Sequence, residues 1–236
     1  MQYKNVAKEE LFNLYYDLKK SSLFKDHILG GGTALALQLG HRTSTDIDLF
    51  TTNEIDNKDI LNELNKKYGS YYIQTLNDFL LRVEIKNILV DFIKENRNIL
   101  EMPKIENNIT YFGVKDISAM KLRTILTRNK PRDYIDIAYI LKDLSLDEMA
   151  ENYKDKYKAN DMPIIKIALM RSKFFTKDEW YDGINMLKND IKLENIPKIL
   201  ENEIGKYNKK HNIGNINNEN IINIIKNKMK NIGRRK

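Results

Sequence analysis

The chain has 236 residues, 42% of them hydrophobic and 31% charged, with only 4 Pro and 10 Gly. This composition excludes fibrous and wholly disordered classes and leaves room for one large domain or two small ones. There is no Cys, which removes disulfides, thiol nucleophiles and thiolate zinc sites together and suits a reducing compartment. The net charge of +7 is concentrated at one end, because residues 205–236 hold nine Lys or Arg against the single Glu219 while residues 1–204 are close to neutral. That basic tail suits attraction to a nucleic-acid backbone, or is simply a solvated Asn- and Lys-rich extension. Residues 1–20 contain no apolar run like that of a signal peptide. The uncharged stretch between His27 and His41 is Gly-rich and well short of the ~18 apolar residues of a membrane span. The expectation is a soluble, cytoplasmic protein that engages no membrane.

In chain order, Ala7, Leu11, Leu14, Tyr15 and Leu18 recur at helical spacing and predict an amphipathic helix over roughly the first 20 residues. Residues 27–29 read as a short strand entering Gly30-Gly31-Gly32, and Thr33 opens an apolar helix that Gly40 closes. Residues 45–50 alternate Asp46, Asp48 and Phe50 with Thr45, Ile47 and Leu49, the period of a strand. A helix is predicted over 57–68, then strands over 71–76, 79–86 and 88–93, the last two joined by a hairpin turn at Asn87. Beyond Asp116 the pattern becomes helical: 116–128 and 132–144, broken before Pro131 because proline cannot occupy a helix interior, then 163–170, 177–187 and 215–230. Strands first and helices after make an α+β fold, with a mixed-sheet domain over 1–112 and a helical domain over 113–236.

The chemistry concentrates in Gly31-Gly32-Thr33 and Asp46-Ile47-Asp48. In a strand, residues two apart share a face about 6 to 7 Å from one another, so Asp46 and Asp48 can address one small hard cation while Ile47 packs behind them. The acid-x-acid spacing alone proves little, since Glu54/Asp56 and Glu201/Glu203 repeat it. The glycines add to it, because they let backbone approach a ligand closely and the helix that follows aims its free N–H groups at phosphate. A third carboxylate, Asp91, interrupts the apolar run Ile88-Leu89-Val90-Asp91-Phe92-Ile93. A buried carboxylate requires a positive partner or a metal, and a strand beside the Asp46/Asp48 strand would bring the three together. The widely spaced His27, His41 and His211 form no zinc set, and neither a P-loop nor a dinucleotide fingerprint is present.

The run from Gly30 to Leu37, followed by Gly40-His41-Arg42-Thr43-Ser44-Thr45-Asp46-Ile47-Asp48-Leu49-Phe50, closely resembles the first motif of the AbiEii/AbiGii toxin family of nucleotidyltransferases. Asp91 matches the family's next acidic position. Lys121-Leu122-Arg123 and the stretch from Arg128 to Asp136 resemble its later motifs. The resemblance covers residues 27–145 and implies a minimal nucleotidyltransferase fold that uses a nucleoside triphosphate and Mg2+, with Mn2+ as a substitute. It also implies a toxin role beside an antitoxin encoded nearby. On that reading Asp46, Asp48 and Asp91 are catalytic and metal-binding, Asp91 completing a second metal position or orienting the attacking hydroxyl as base. Thr33, where the wider superfamily has Ser, keeps a hydroxyl for phosphate. Gly31, Gly32, Ser44 and Asp136 lie on the nucleotide side, and Arg42 meets phosphate or pairs with a nearby Asp. Lys121 matches a functional lysine whose ammonium would hold the triphosphate, and Asp133 matches a functional acid. The expected reaction is attack on the α-phosphate with release of pyrophosphate, the acceptor being an RNA such as tRNA, a protein or a small molecule. Clustered carboxylates would also serve a metal-dependent nuclease, and the same fold without turnover would serve a nucleotide- or RNA-binding regulator.

Overall fold

A computed structural model describes residues 5–54 and 56–214. They divide into two units, the first running to Ile117 and taking in Asn185–Lys188, the second formed by Ser118–Ile184 and the described residues from Asn189 onward. Strands lie in the first unit and the second is helical, which is the expected α+β arrangement.

In the first unit, α1 (Glu9–Lys19) buries Leu11, Leu14, Tyr15 and Leu18 along one stripe, the spacing that placed it. The two-residue strand β1 (Ile28–Leu29) runs through Gly30 into α2 (Gly31–Leu39). Gly40 closes α2 in the left-handed conformation, at φ 59°, where a glycine carries no Cβ penalty. In β2 (Ile47–Thr51) Ile47, Leu49 and Thr51 are buried while Asp48 and Phe50 are half-buried. Asp46 therefore precedes the strand, which begins two residues after the predicted start at Thr45. Asp56 caps α3 (Asn57–Tyr68) by accepting from the Lys58 N–H. Next come β3 (Tyr72–Leu76), β4 (Leu80–Ile85), β5 (Ile88–Lys94), β6 (Lys104–Glu106) and β7 (Ile109–Tyr111).

The strands form one seven-stranded sheet in the order β3-β4-β5-β2-β1-β7-β6. It is mixed: β2 runs parallel to β5 and β1 to β7, and the other pairs are antiparallel. Two of its hairpins turn on pairs of residues at positive φ, Lys86 and Asn87 at 51° and 62°, and Asn107 and Asn108 at 50° and 62°. This is the mirror-image turn whose twist matches that of the strands it joins.

The helices that follow are α4 (Val114–Thr127), α5 (Pro131–Ile140), α6 (Leu146–Tyr157), α7 (Met162–Met170), α8 (Lys177–Tyr181) and α9 (Ile196–Lys210). Pro131 occupies the first turn of α5, where its missing N–H costs nothing. The predicted helix over 177–187 stops at Tyr181, because Asp182 is extended and Gly183 has a φ of 64°. The predicted helix over 215–230, with most of the basic tail, lies outside the described residues. Among the described residues no helix is long and apolar enough to cross a membrane.

Candidate active site

In the first unit the site is built where β1 turns into α2 against β2. The Gly30 N–H donates to the Asp48 carbonyl at 2.9 Å, fixing the turn to the strand that carries the acid. Gly31 has a φ of 62°, and a Cβ placed on it would fall 1.8 Å from Asp48 Oδ2. A Cβ on Gly32 would fall 2.7 Å from Arg42 Nη2. Both positions need glycine because neighbouring polar groups occupy the space of a side chain. The first amides of a helix have no carbonyl acceptor within it, so the start of α2 places N–H groups beside the Asp48 carboxylate.

Thr33 is fully buried, and its Oγ1 bridges Ser44 Oγ at 2.9 Å and the backbone carbonyl of Asp46. The hydroxyl expected on phosphate is instead directed into the protein, where it anchors the segment that delivers Asp46. Arg42 is also buried, and its Nη1 donates to the Thr43 carbonyl at 2.8 Å. Ser44 is held by its own N–H on the Val6 carbonyl at 2.7 Å. A further clamp comes from far along the chain. Met186 bridges Arg42, the Thr43 N–H donates to the Asn185 carbonyl at 2.9 Å, and the Leu187 N–H donates to the His41 carbonyl at 2.9 Å. Nothing in the sequence near residue 186 signals this return.

Across the sheet one row of side chains carries the charge. Asp48 on β2 is in register with Asp91 on β5, Asp91 with Arg82 on β4, and Arg82 with Thr75 on β3. Adjacent strands lie about 4.8 Å apart, so the row brings Asp48 and Asp91 side by side, as the sequence led us to expect. It also supplies a cation that the sequence reading omitted. Arg82 forks onto Asp91, with Nε 2.7 Å from Oδ1 and Nη2 2.6 Å from Oδ2. Asp91 is only 6% exposed, and Arg82 is the positive partner such a carboxylate requires. The hydrogen bond to Asp91, outweighing partial burial and reinforced by the charges of Asp48 and Asp46, pushes the Arg82 pKa up. Among the described residues no group of three or more acids or histidines is arranged to hold a metal ion. Of the three carboxylates expected to hold metal, Asp91 is engaged by Arg82, while Asp46 and Asp48 are half-buried beside α2.

In the second unit the later motifs form a buried ionic cluster. Lys121 on α4, 4% exposed, places Nζ 3.1 Å from Asp133 Oδ1 and 2.6 Å from Asp136 Oδ2. Arg128 completes it, with Nε 2.8 Å from Asp133 Oδ2 and Nη2 2.9 Å from Oδ1. Burial pushes the Asp133 carboxyl up, but the Lys121 ammonium and the Arg128 fork outweigh it and hold the group below the ordinary carboxylate value. The Lys121 charge, expected on a triphosphate and not on protein carboxylates, is thus met by two of them. Asp133 and Asp136, three residues apart on α5, share the face turned to it. Arg123 is exposed and lies over the Tyr157 ring.

The comparisons agree with this architecture. The family described as "Nucleotidyl transferase AbiEii toxin, Type IV TA system" matches residues 13–88 and 84–211. An uncharacterized protein of Aquifex aeolicus is 30% identical over 167 residues, covering 67% of this chain and 79% of its own length. A crystal structure from Helicobacter pylori, of a protein proposed to be a nucleotidyltransferase, superposes with a TM-score of 0.51 at 18% identity, covering 86% of this chain and 96% of that one. The last likeness is one of fold.

Proposed function

Because the chain belongs to the AbiEii nucleotidyltransferase toxin family, we propose that it transfers a nucleotide from a nucleoside triphosphate to an acceptor, with release of pyrophosphate. The observation that carries this reading is Asp48 lying against the Gly31 backbone at the start of α2, a place where a carboxylate and free helix amides converge. The amides and the helix dipole favour an incoming phosphate. Asp46 and Asp48 are half-buried hard oxygen donors, and the missing side chain at Gly31 keeps the approach to Asp48 short, so the pair fits Mg2+ or Mn2+. When bound, such an ion offsets charge that develops on phosphate oxygens.

The protein's own groups divide the remaining work. Thr33 and Ser44 hold the segment before Asp46 in place, and Gly31 and Gly32 leave room for backbone to meet phosphate. Arg42 stiffens the same turn from beneath. Asp91, in register with Asp48 on the neighbouring strand, would orient the acceptor hydroxyl or share in holding the ion. Lys121, Asp133, Asp136 and Arg128 act as one neutral cluster that fixes the corner between α4 and α5, which brings the family's later motif residues to a defined geometry.

The acceptor we favour is an RNA, tRNA among the candidates, since Lys206, Lys209 and Lys210 on α9 begin the basic tail. The setting is a cytoplasmic toxin with an antitoxin encoded nearby. Incubating the protein with α-32P-labelled nucleoside triphosphates, Mg2+ and total RNA tests the reading. Labelled RNA is the expected result. Shortened RNA would point to a nuclease, and nucleotide binding without label transfer to a regulator.

A further inference from the structure

We infer that Arg82 is a tethered counter-cation which a divalent metal displaces from Asp91, so that the bare site binds metal weakly until the exchange occurs. The inference rests on the nucleotidyltransferase reading of Asp46 and Asp48. It begins with the hairpin. Lys86 and Asn87 set the turn between β4 and β5, and the unbroken register from Ile85 opposite Ile88 back to Leu80 opposite Ile93 places Arg82 across from Asp91. Asp91 is opposite Asp48 on its other side. Arg82 therefore stands at the end of a row of acids, and no other arrangement of this hairpin would put it there.

The two partners differ in freedom. The Asp91 side chain is 9% exposed and that of Arg82 is 35% exposed. Asp91 sits between Val90 and Phe92, both buried, and its strand is paired on both sides. Arg82 reaches it from β4 with a long stem that can turn towards water. A carboxylate buried to this degree cannot be left without a positive partner, so a cation must take over whatever Arg82 gives up. With the guanidinium in place the three acids and Arg82 carry a net charge of about −2, and without it about −3. The fork thus lowers the attraction of the bare site for a divalent ion and keeps Asp91 in position meanwhile. An ion arriving with a triphosphate brings further ligands and tips the exchange.

Mn2+ binding to the full-length protein without nucleotide, read by electron paramagnetic resonance, tests this. Arg82→Gln should bind Mn2+ about tenfold more tightly than the parent, the charge effect being moderated by solvent screening. Arg82→Lys should stay near the parent, and the added change Asp91→Asn should cancel the gain. A folded Arg82→Gln protein with equal or weaker Mn2+ binding would overturn the exchange. A second measurement needs no variant: in the parent, saturating Mg2+ should shift the nitrogen resonance of Arg82 Nε, and an unmoved resonance would also overturn it. If neither protein binds Mn2+, the exchange is wrong, while the transferase reading is decided separately by label transfer.

Discussion

Gly31 and Asp48 are so closely apposed that a Cβ on the glycine would fall 1.8 Å from a carboxylate oxygen of the acid. The contact is made possible by a φ of 62° at Gly31, a conformation that costs an L-residue roughly 1–2 kcal/mol. Gly31→Ala should therefore lose about that much stability and also displace the Asp48 carboxylate. Transfer activity should fall by more than about tenfold, beyond what the small stability loss explains. Denaturant unfolding and label transfer on the same preparation check this. A variant with parental activity would show that Asp48 does not need its place against the turn.

The Lys121 cluster carries a stability prediction. Removing one partner of a buried ionic group leaves charge uncompensated, at a cost of about 3–5 kcal/mol. Lys121→Ala should show a loss of that size, because Asp136 then loses the ammonium 2.6 Å away. Lys121→Met combined with Asp136→Asn should recover much of it. If instead Lys121→Ala unfolds like the parent and fails only to use triphosphate, the ammonium serves phosphate and the cluster is not what holds α4 to α5.

His27 carries the pH prediction. It is fully buried beside the Phe24 and Phe92 rings. Burial, with the Lys19 ammonium adding to it and the Asp26 charge opposing, pulls its pKa down to about 4. The unfolded chain binds a proton there from about pH 6.5, so between those values the unfolded state is the more protonated. Stability should thus be full above about pH 6.5 and fall by up to about 3 kcal/mol as the pH drops towards 4. His27→Leu should flatten that slope, measured as melting temperature against pH for both proteins. Parallel curves would show that His27 does not titrate in this window.

Much of this was legible in the sequence for identifiable reasons. Gly30 to Thr33 and the Asp46/Asp48 alternation are local signals, and the sheet takes up Asp48 where periodicity said while Asp46 lies just ahead of β2. Arg82 was legible in principle: counting outward from a turn at 86–87 pairs 85 with 88 and hence 82 with 91, but an Arg in an alternating strand reads as solvent-facing until its partner is counted. Ser145 and Glu148 form a full capping box, a start signal for α6 that composition alone passed over. The three-residue strands β6 and β7 are too short to show a period. The return of Asn185–Lys188 onto His41 to Thr43 is a long-range pairing, and no local pattern encodes it.

The most direct test of the account compares α-32P- with γ-32P-labelled nucleoside triphosphate in the parent and in Asp48→Asn. Losing a carboxylate that would hold an ion offsetting transition-state charge should cost several kcal/mol, each ~1.4 kcal/mol being tenfold in rate. The predicted result is that α-label but not γ-label enters the acceptor with the parent, and that Asp48→Asn, folded as judged by its melting temperature, transfers at least about 100-fold less. Transfer of γ-label, or α-label transfer by Asp48→Asn within about tenfold of the parent, would contradict the account.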